Sequence, residues 1–300
     1  MNRPVLPEVL WHYTDANGLF GIVTSAQLRF GDVRFLNDRT ERVYGDKLKD
    51  EVFEEMALTD LSGVTAKFRN FVRVLRQPER LYICSFSATT ESISQWQRYG
   101  SDGNGYCIGF LRRGLDELFD SESVWFKAML YDEAAQKDAM RTAIATGLKL
   151  YQELQERESS PNRPYYEYLS TDIEIDSVLL QVKNRVFHDE EEWRYLFRSD
   201  PDDNDFVHDT PRDVDKQDDS FAEDMTSNDI REAFAVRGSY VKPFITLPRT
   251  TRATRLLPIV GVICGPKLDG DLAVTSARRF LVSRGYGVQV EHSKLAEIWR

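Results

Sequence analysis

At 300 residues, with 41% hydrophobic and 29% charged side chains, the chain has enough apolar material for a substantial core, which excludes wholesale disorder. A formal charge of −10 opposes sequence-independent capture of nucleic acid, because that binding depends on lysine and arginine displacing counterions. No apolar run approaches membrane-spanning length, and the opening MNRPVLPEVLWHY lacks the basic, apolar and small-residue succession of a secretory signal, so a soluble, cytoplasmic protein with no membrane partner is expected.

Cys84, Cys107 and Cys264 are odd in number and far apart, each inside an apolar, strand-like segment. Cysteine in that setting is a small buried hydrophobe, and a reducing compartment with neither zinc nor disulfide follows.

In chain order, Leu10 to Tyr13 reads as a strand, and Thr14 or Asp15 caps a short helix carrying Leu19, Phe20, Ile22 and Val23. Leu28 to Leu36 is strand-like. From Thr40 the spacing of Val43, Tyr44, Leu48, Val52, Phe53 and Met56 is helical, and Val64, Phe68, Phe71, Val72 and Leu75 make a second helix. Leu81 to Phe86 and Tyr106 to Phe110 are β segments joined by a polar, aromatic run and a glycine-rich turn, which suggests a hairpin-like return. A strand over Val124 to Tyr131 precedes a long, charge-rich helix from Asp132 to Arg157. Another helix covers Thr171 to Lys183, and Phe187 to Phe197 ends as an aromatic strand. Residues 199–224 are crowded with aspartate and read as a mobile acidic segment. A short helix is expected near Asn228 to Val236, then strands at Tyr240 to Leu247 and Ile259 to Cys264, a helix from Asp271 to Ser283, and a closing strand at Gly287 to Glu291. Short strands interrupted by helices favour α+β over regular β-α alternation. The expectation is one domain over 1–300 with helical insertions at about 41–77 and 132–183.

Few residues carry chemistry. His12 sits at an aromatic strand end, where a satisfied structural histidine is the plain alternative to a ligand contact. Glu190 and Glu192 share a face if their segment is extended, while Glu191 points away. Such a pair suits glycosidic bond cleavage, in which one carboxylate stabilises an oxocarbenium-like centre and another orients or deprotonates an acceptor; the alternative is a solvated charge run. Trp96 and Tyr99 share a face if Ser92 to Gly100 is helical, and either flank a nicotinamide or adenine ring or plug the core. Asn37 lies in a polar turn, Asn37 to Glu41, that helix capping also explains. The glycines between Gly100 and Gly105 lack a P-loop lysine and hydroxyl, no serine occupies a nucleophile elbow, and no histidine has zinc-ligand spacing.

The succession LWHYT, RFLND with Glu41, YICSFS, SQWQRYG, GYCIGF, FHDEEEWR, YVKPFITLP and VICGPK resembles a bacterial family of domains of unknown function, numbered twenty-nine seventy-one, over nearly the whole length. A more distant likeness is carried by LWHYTDANGLFGIVTSAQLRF, which is similar to the opening of ADP-ribosyltransferase-like domains. That likeness implies a mixed or antiparallel β core with inserted helices. It also implies NAD as substrate, with His12 and Thr14 on the ribose and nicotinamide, and a late-strand Glu-x-Glu in which Glu192 is the catalytic carboxylate and Glu190 orients the acceptor. Tyr13, Asn37, Trp96 and Tyr99 complete the expected cofactor-binding set, and no metal is required. Tyr13 stands where the polymerase-like branch has glycine, and Tyr44, Phe35 and Tyr99 compete for the stacking position. The expected function is thus an NAD-dependent ADP-ribosyltransferase or NAD glycohydrolase, acting on a macromolecular or small-molecule acceptor or on water. The alternatives are a non-catalytic nucleotide-binding or regulatory module, as in a bacterial defence or toxin locus, and a structural interaction protein.

Overall fold

The computed structural model describes residues 5–35, 39–75, 80–120, 124–156, 173–199, 232–237, 240–248 and 256–299. Their elements, in order, are β1 (Val9–Thr14), α1 (Ala16–Ser25), β2 (Leu28–Asp32), α2 (Arg39–Thr59), α3 (Val64–Leu75), β3 (Arg80–Ser87), α4 (Ile93–Arg98), β4 (Tyr106–Leu111), α5 (Arg112–Phe119), β5 (Val124–Ala128), α6 (Glu133–Glu156), α7 (Ile173–Leu179), β6 (Glu192–Ser199), β7 (Ala233–Arg237), β8 (Tyr240–Leu247), β9 (Ile259–Cys264), α8 (Gly270–Ser283) and β10 (Gln289–His292). The chain is mixed α+β, as its pattern of short strands and interposed helices indicates.

Two compact units emerge. The first comprises residues 1–35, 80–126 and 190–300; the second comprises 36–79 and 127–189. The stretches expected as helical insertions, 41–77 and 132–183, lie within the second unit. There α2, α3, α6 and α7 bury Val52, Phe53, Phe68, Met140, Ile144 and Val178 in a core of their own. Among the described residues of this unit, Thr65, Gln136 and Lys183 are polar and buried. Gln136 is fully buried, and its amide donates to the Leu130 and Lys183 carbonyls at 2.5 and 2.8 Å while its oxygen accepts from the Tyr44 hydroxyl at 2.6 Å, so burial leaves neither end of the amide unmatched.

The sheet of the first unit runs β10-β9-β4-β1-β3-β2-β8-β7, with β6 on β3 and β5 on β6. The pairs β1–β3, β1–β4, β2–β3, β2–β8, β3–β6, β4–β9 and β7–β8 are antiparallel, and β9–β10 is parallel, joined by the crossover helix that a parallel pair requires. β3 and β4 do not form the hairpin that the glycine-rich turn suggested. Instead β4 pairs with β1 and β9, because the intervening α4 and turn carry the chain past β1 before it re-enters the sheet. The short helix expected near Asn228 to Val236 is, over its described part, the strand β7 against β8; alternating Phe234 and Val236 with alanines suits a two-residue period better than a helical one. The expected acidic segment at 199–224 and Asn37 fall outside the described residues, apart from Ser199 at the end of β6.

β3 organises this sheet. All eight of its residues pair with β6 along one edge. The other edge is divided: Ser87 pairs with Trp11 of β1, whereas Ile83 and Tyr82 pair with Gly31 and Asp32 of β2. β1 and β2 therefore part along Cys84–Phe86, and the sheet forks there.

Helix α1 docks on the end of β1. Asp15 caps it by accepting from the Gly18 amide at 2.7 Å, and Leu19, Ile22 and Val23 form its buried stripe. Gly18 leaves no room for a side chain, since a Cβ there would fall 1.8 Å from Thr14 Oγ1. Gly18→Ala should cost about 1–3 kcal/mol through overpacking, read as a lower midpoint in urea with an unchanged slope.

All three cysteines are buried and free. Burial pushes the Cys264 thiol up to about 11 and raises Cys84 and Cys107 as well. Since the thiolate is the reactive form, alkylation of Cys264 at pH 8 should be roughly a hundredfold slower than that of a free thiol on this ground alone. Mass spectrometry after iodoacetamide treatment, with and without denaturant, measures the difference.

Candidate functional site

Side chains on a strand alternate between faces, and paired residues on neighbouring strands share one. The register therefore sets Trp11, Ser87 and Glu192 in one row on one face. His12 belongs to the other face, with Ile108 across β4 and the Phe86 ring 5.6 Å from its own. Trp11 and Glu192 are separated by two strand spacings, roughly 10 Å between backbones. His12 and Glu192 thus stand near one another in the sheet but do not meet across one face. The imidazole reaches instead to the fork, where Nδ1 lies 2.9 Å from the Ser85 carbonyl. A carbonyl only accepts, so Nδ1 carries the proton, and the backbone fixes both the tautomer and the ring orientation.

Glu190 and Glu192 are not successive same-face residues of one extended segment. Glu190 ends a 3-10 turn, Arg185–Glu190, and Glu191 adopts a left-handed φ of 42°, which costs a non-glycine residue about 1–2 kcal/mol. Only Glu192 belongs to β6. The corner is tied down from two directions. The Glu190 carbonyl accepts from Ser87 Oγ at 2.8 Å and from the Gln95 amide at 3.5 Å, and the Ala88 amide donates to the Glu191 carbonyl at 3.0 Å.

Each flanking carboxylate meets an arginine. Arg98, at the end of α4, donates to Glu190 at 2.5 Å; the Glu190 side chain is 1% exposed and that of Arg98 is 46% exposed. Arg194 Nε and Nη2 donate to the two oxygens of Glu192 at 2.7 and 3.1 Å, with both side chains buried. Glu190 is thus turned inward against Arg98, while Glu191 is exposed.

The aromatic candidates divide. Trp96 has no exposed surface and packs edge-on against Tyr13 at 5.0 Å, with Cys107 completing the cluster. Of the two readings open for Trp96, this is the core plug, and its indole N–H has no hydrogen-bond partner among the described residues. Tyr13 is buried too: its hydroxyl donates to the Thr89 carbonyl at 3.1 Å, and burial first, then nearby Cys107, pushes it above the usual tyrosine range. Thr14 is buried against Gly18. Tyr99 caps the end of α4 and is partly exposed. Of its rivals for the stacking position, Tyr44 lies on α2 in the second unit and binds Gln136, and Phe35 is half-buried in the turn after β2. Among the described residues no three or more His, Cys, Asp or Glu side chains gather as a metal site would need.

Residues 95–195 match the model of a family described as a protein of unknown function, DUF2971. The matched span opens inside α4 and closes inside β6, so it contains both partners of the Arg98–Glu190 and Glu192–Arg194 pairs. No curated protein and no solved structure matches the chain.

Ser87, Arg98 and Arg194 escaped assignment from the sequence. Arg194 left a usable trace: Glu192-x-Arg194 places opposite charges two apart, on one face of any strand. Ser87 left none, because its role depends on the long-range register of β3 with β6.

The corner makes its own prediction. Arg98→Met leaves the Glu190 carboxylate buried without this partner and should cost about 2 kcal/mol or more, whereas Arg98→Met combined with Glu190→Gln should recover most of the loss. Urea denaturation of the three variants provides the comparison.

Proposed function

We propose that the chain cleaves the nicotinamide–ribose bond of NAD, as an ADP-ribosyltransferase or NAD glycohydrolase, with Glu192 as the catalytic carboxylate. The observation that carries this reading is an arginine-bound, buried carboxylate beginning a rigid strand at the end of β3 where β1 joins it. Cleavage breaks the bond from the anomeric carbon to the pyridinium nitrogen. Nicotinamide departs neutral with the bonding pair, and positive charge develops on the ribose. A fixed carboxylate lowers the energy of that charge most in a site closed to water. Water or an acceptor then bonds to the anomeric carbon and releases its proton. His12, held in one tautomer by Ser85, supplies a fixed polar group at the fork. Glu190, buried like Glu192 but paired with the half-exposed Arg98, keeps its part in orienting the acceptor in this reading, and the exposed Glu191 is a further carboxylate beside it.

Glu192→Gln should lower nicotinamide release by roughly a hundredfold or more. Chromatographic detection of nicotinamide from labelled NAD measures it, and turnover equal to wild type would eliminate the role. The amide matches the acid in shape but withdraws the negative charge from buried Arg194, so the variant should also lose about 1–3 kcal/mol of stability. Rates are therefore compared well below its thermal transition.

A second reading has its own support: His12 and Glu192 occupy opposite faces and Glu190 is turned inward, which suits a structural interaction protein without a shared nucleotide cleft. Calorimetry with intact NAD separates the two, because the absence of both binding and product identifies the structural protein.

A further inference from the structure

Burying a guanidinium is costly, and an apolar residue of similar volume often serves stability as well or better. Arg194 is nevertheless 2% exposed in the middle of the sheet. Its setting restricts it closely. Trp193 and Tyr195, the residues on either side, point to the opposite face, where the Phe126 ring stacks on Trp193 at 5.0 Å and lies 4.6 Å from Tyr195. The residues opposite Glu192 and Arg194 on β3 are Ser87 and Ser85, small enough to leave the ion pair room along the sheet. The guanidinium thus lies on a backbone anchored from behind, and it engages both carboxylate oxygens of Glu192 through two nitrogens, Nε and Nη2. Two parallel contacts of this kind fix the plane of a carboxylate, which a single point charge cannot do.

We infer that Arg194 is the positioning residue for Glu192, holding the carboxylate in the one orientation in which it can face the reacting ribose. This rests on the NAD-cleaving reading and goes beyond it by assigning the geometry of the catalytic group to a second side chain. Arg194 acts on the reaction through Glu192. Lysine at 194 would keep the positive charge and lose the fork.

The test is a double-mutant cycle of wild type, Glu192→Gln, Arg194→Lys and the two combined, with kcat and KM for NAD measured by nicotinamide release. Arg194→Lys should lower kcat about tenfold or more with KM within roughly twofold, since the contact it disturbs acts in the transition state. In the Glu192→Gln background the same change should alter kcat by less than about twofold, because residues acting through one another are not additive. A fold-only role would reduce the amount of active protein equally in both backgrounds, so an equal loss, or a wild-type kcat for Arg194→Lys, overturns the inference while leaving the NAD reading intact. Absence of nicotinamide release from wild type overturns that reading and the inference with it. Should Arg194→Lys fail to fold, Arg194→Gln takes its place in the same cycle.

Discussion

The pairing of β3 governs the first unit. A strand has two hydrogen-bonding edges, and β3 gives one wholly to β6 and divides the other between β1 and β2. That division has two consequences. It leaves backbone groups along Cys84–Phe86 without a continuous partner strand, a cost unless something else meets them, and the His12 ring answers it at the Ser85 carbonyl. It also sets the row through Trp11, Ser87 and Glu192, so the position of the late carboxylate follows from the same strand that orients the early histidine.

Electrostatics builds on this frame. Two carboxylates near one corner would repel each other, and in a low-dielectric interior the repulsion would be several times that in water. Each is instead matched with its own arginine, Glu190 from α4 and Glu192 from within β6. The left-handed Glu191 between them turns the chain so that one carboxylate faces α4 and the other lies along the sheet. A strained residue here is the means by which two like charges two positions apart are sent in different directions.

Much of the fold was legible because its signals are local. The apolar periods of α1, α2, α3 and α6, the aromatic content of β6 and the α8–β10 ending each reside within a few consecutive residues. The hairpin between β3 and β4 and the helix near Asn228 to Val236 misled for the opposite reason. Whether a turn closes a hairpin depends on a strand some seventy residues earlier, β1, and β7 shows its nature only against β8. The same limit applies to the site. Burial of Cys107 followed from apolar surroundings, whereas Trp96 sits in a polar run that left its burial open, and the faces of His12 and Glu192 depend on two registers that no spacing within either segment carries. Glu190 and Glu192 were read as a same-face pair on the premise of extended backbone, which the left-handed Glu191 breaks.

The pairing of β3 with β6 joins residues more than a hundred positions apart, and a nascent chain meets this separation in time as well as in space. Until Ser199 has left the ribosome, the entire β6-facing edge of β3 presents open amides and carbonyls, the kind of template to which foreign strands add. Contacts of such long range form slowly, so the edge of β3 that later receives the candidate carboxylate stays open while the roughly one hundred residues between the two strands are made.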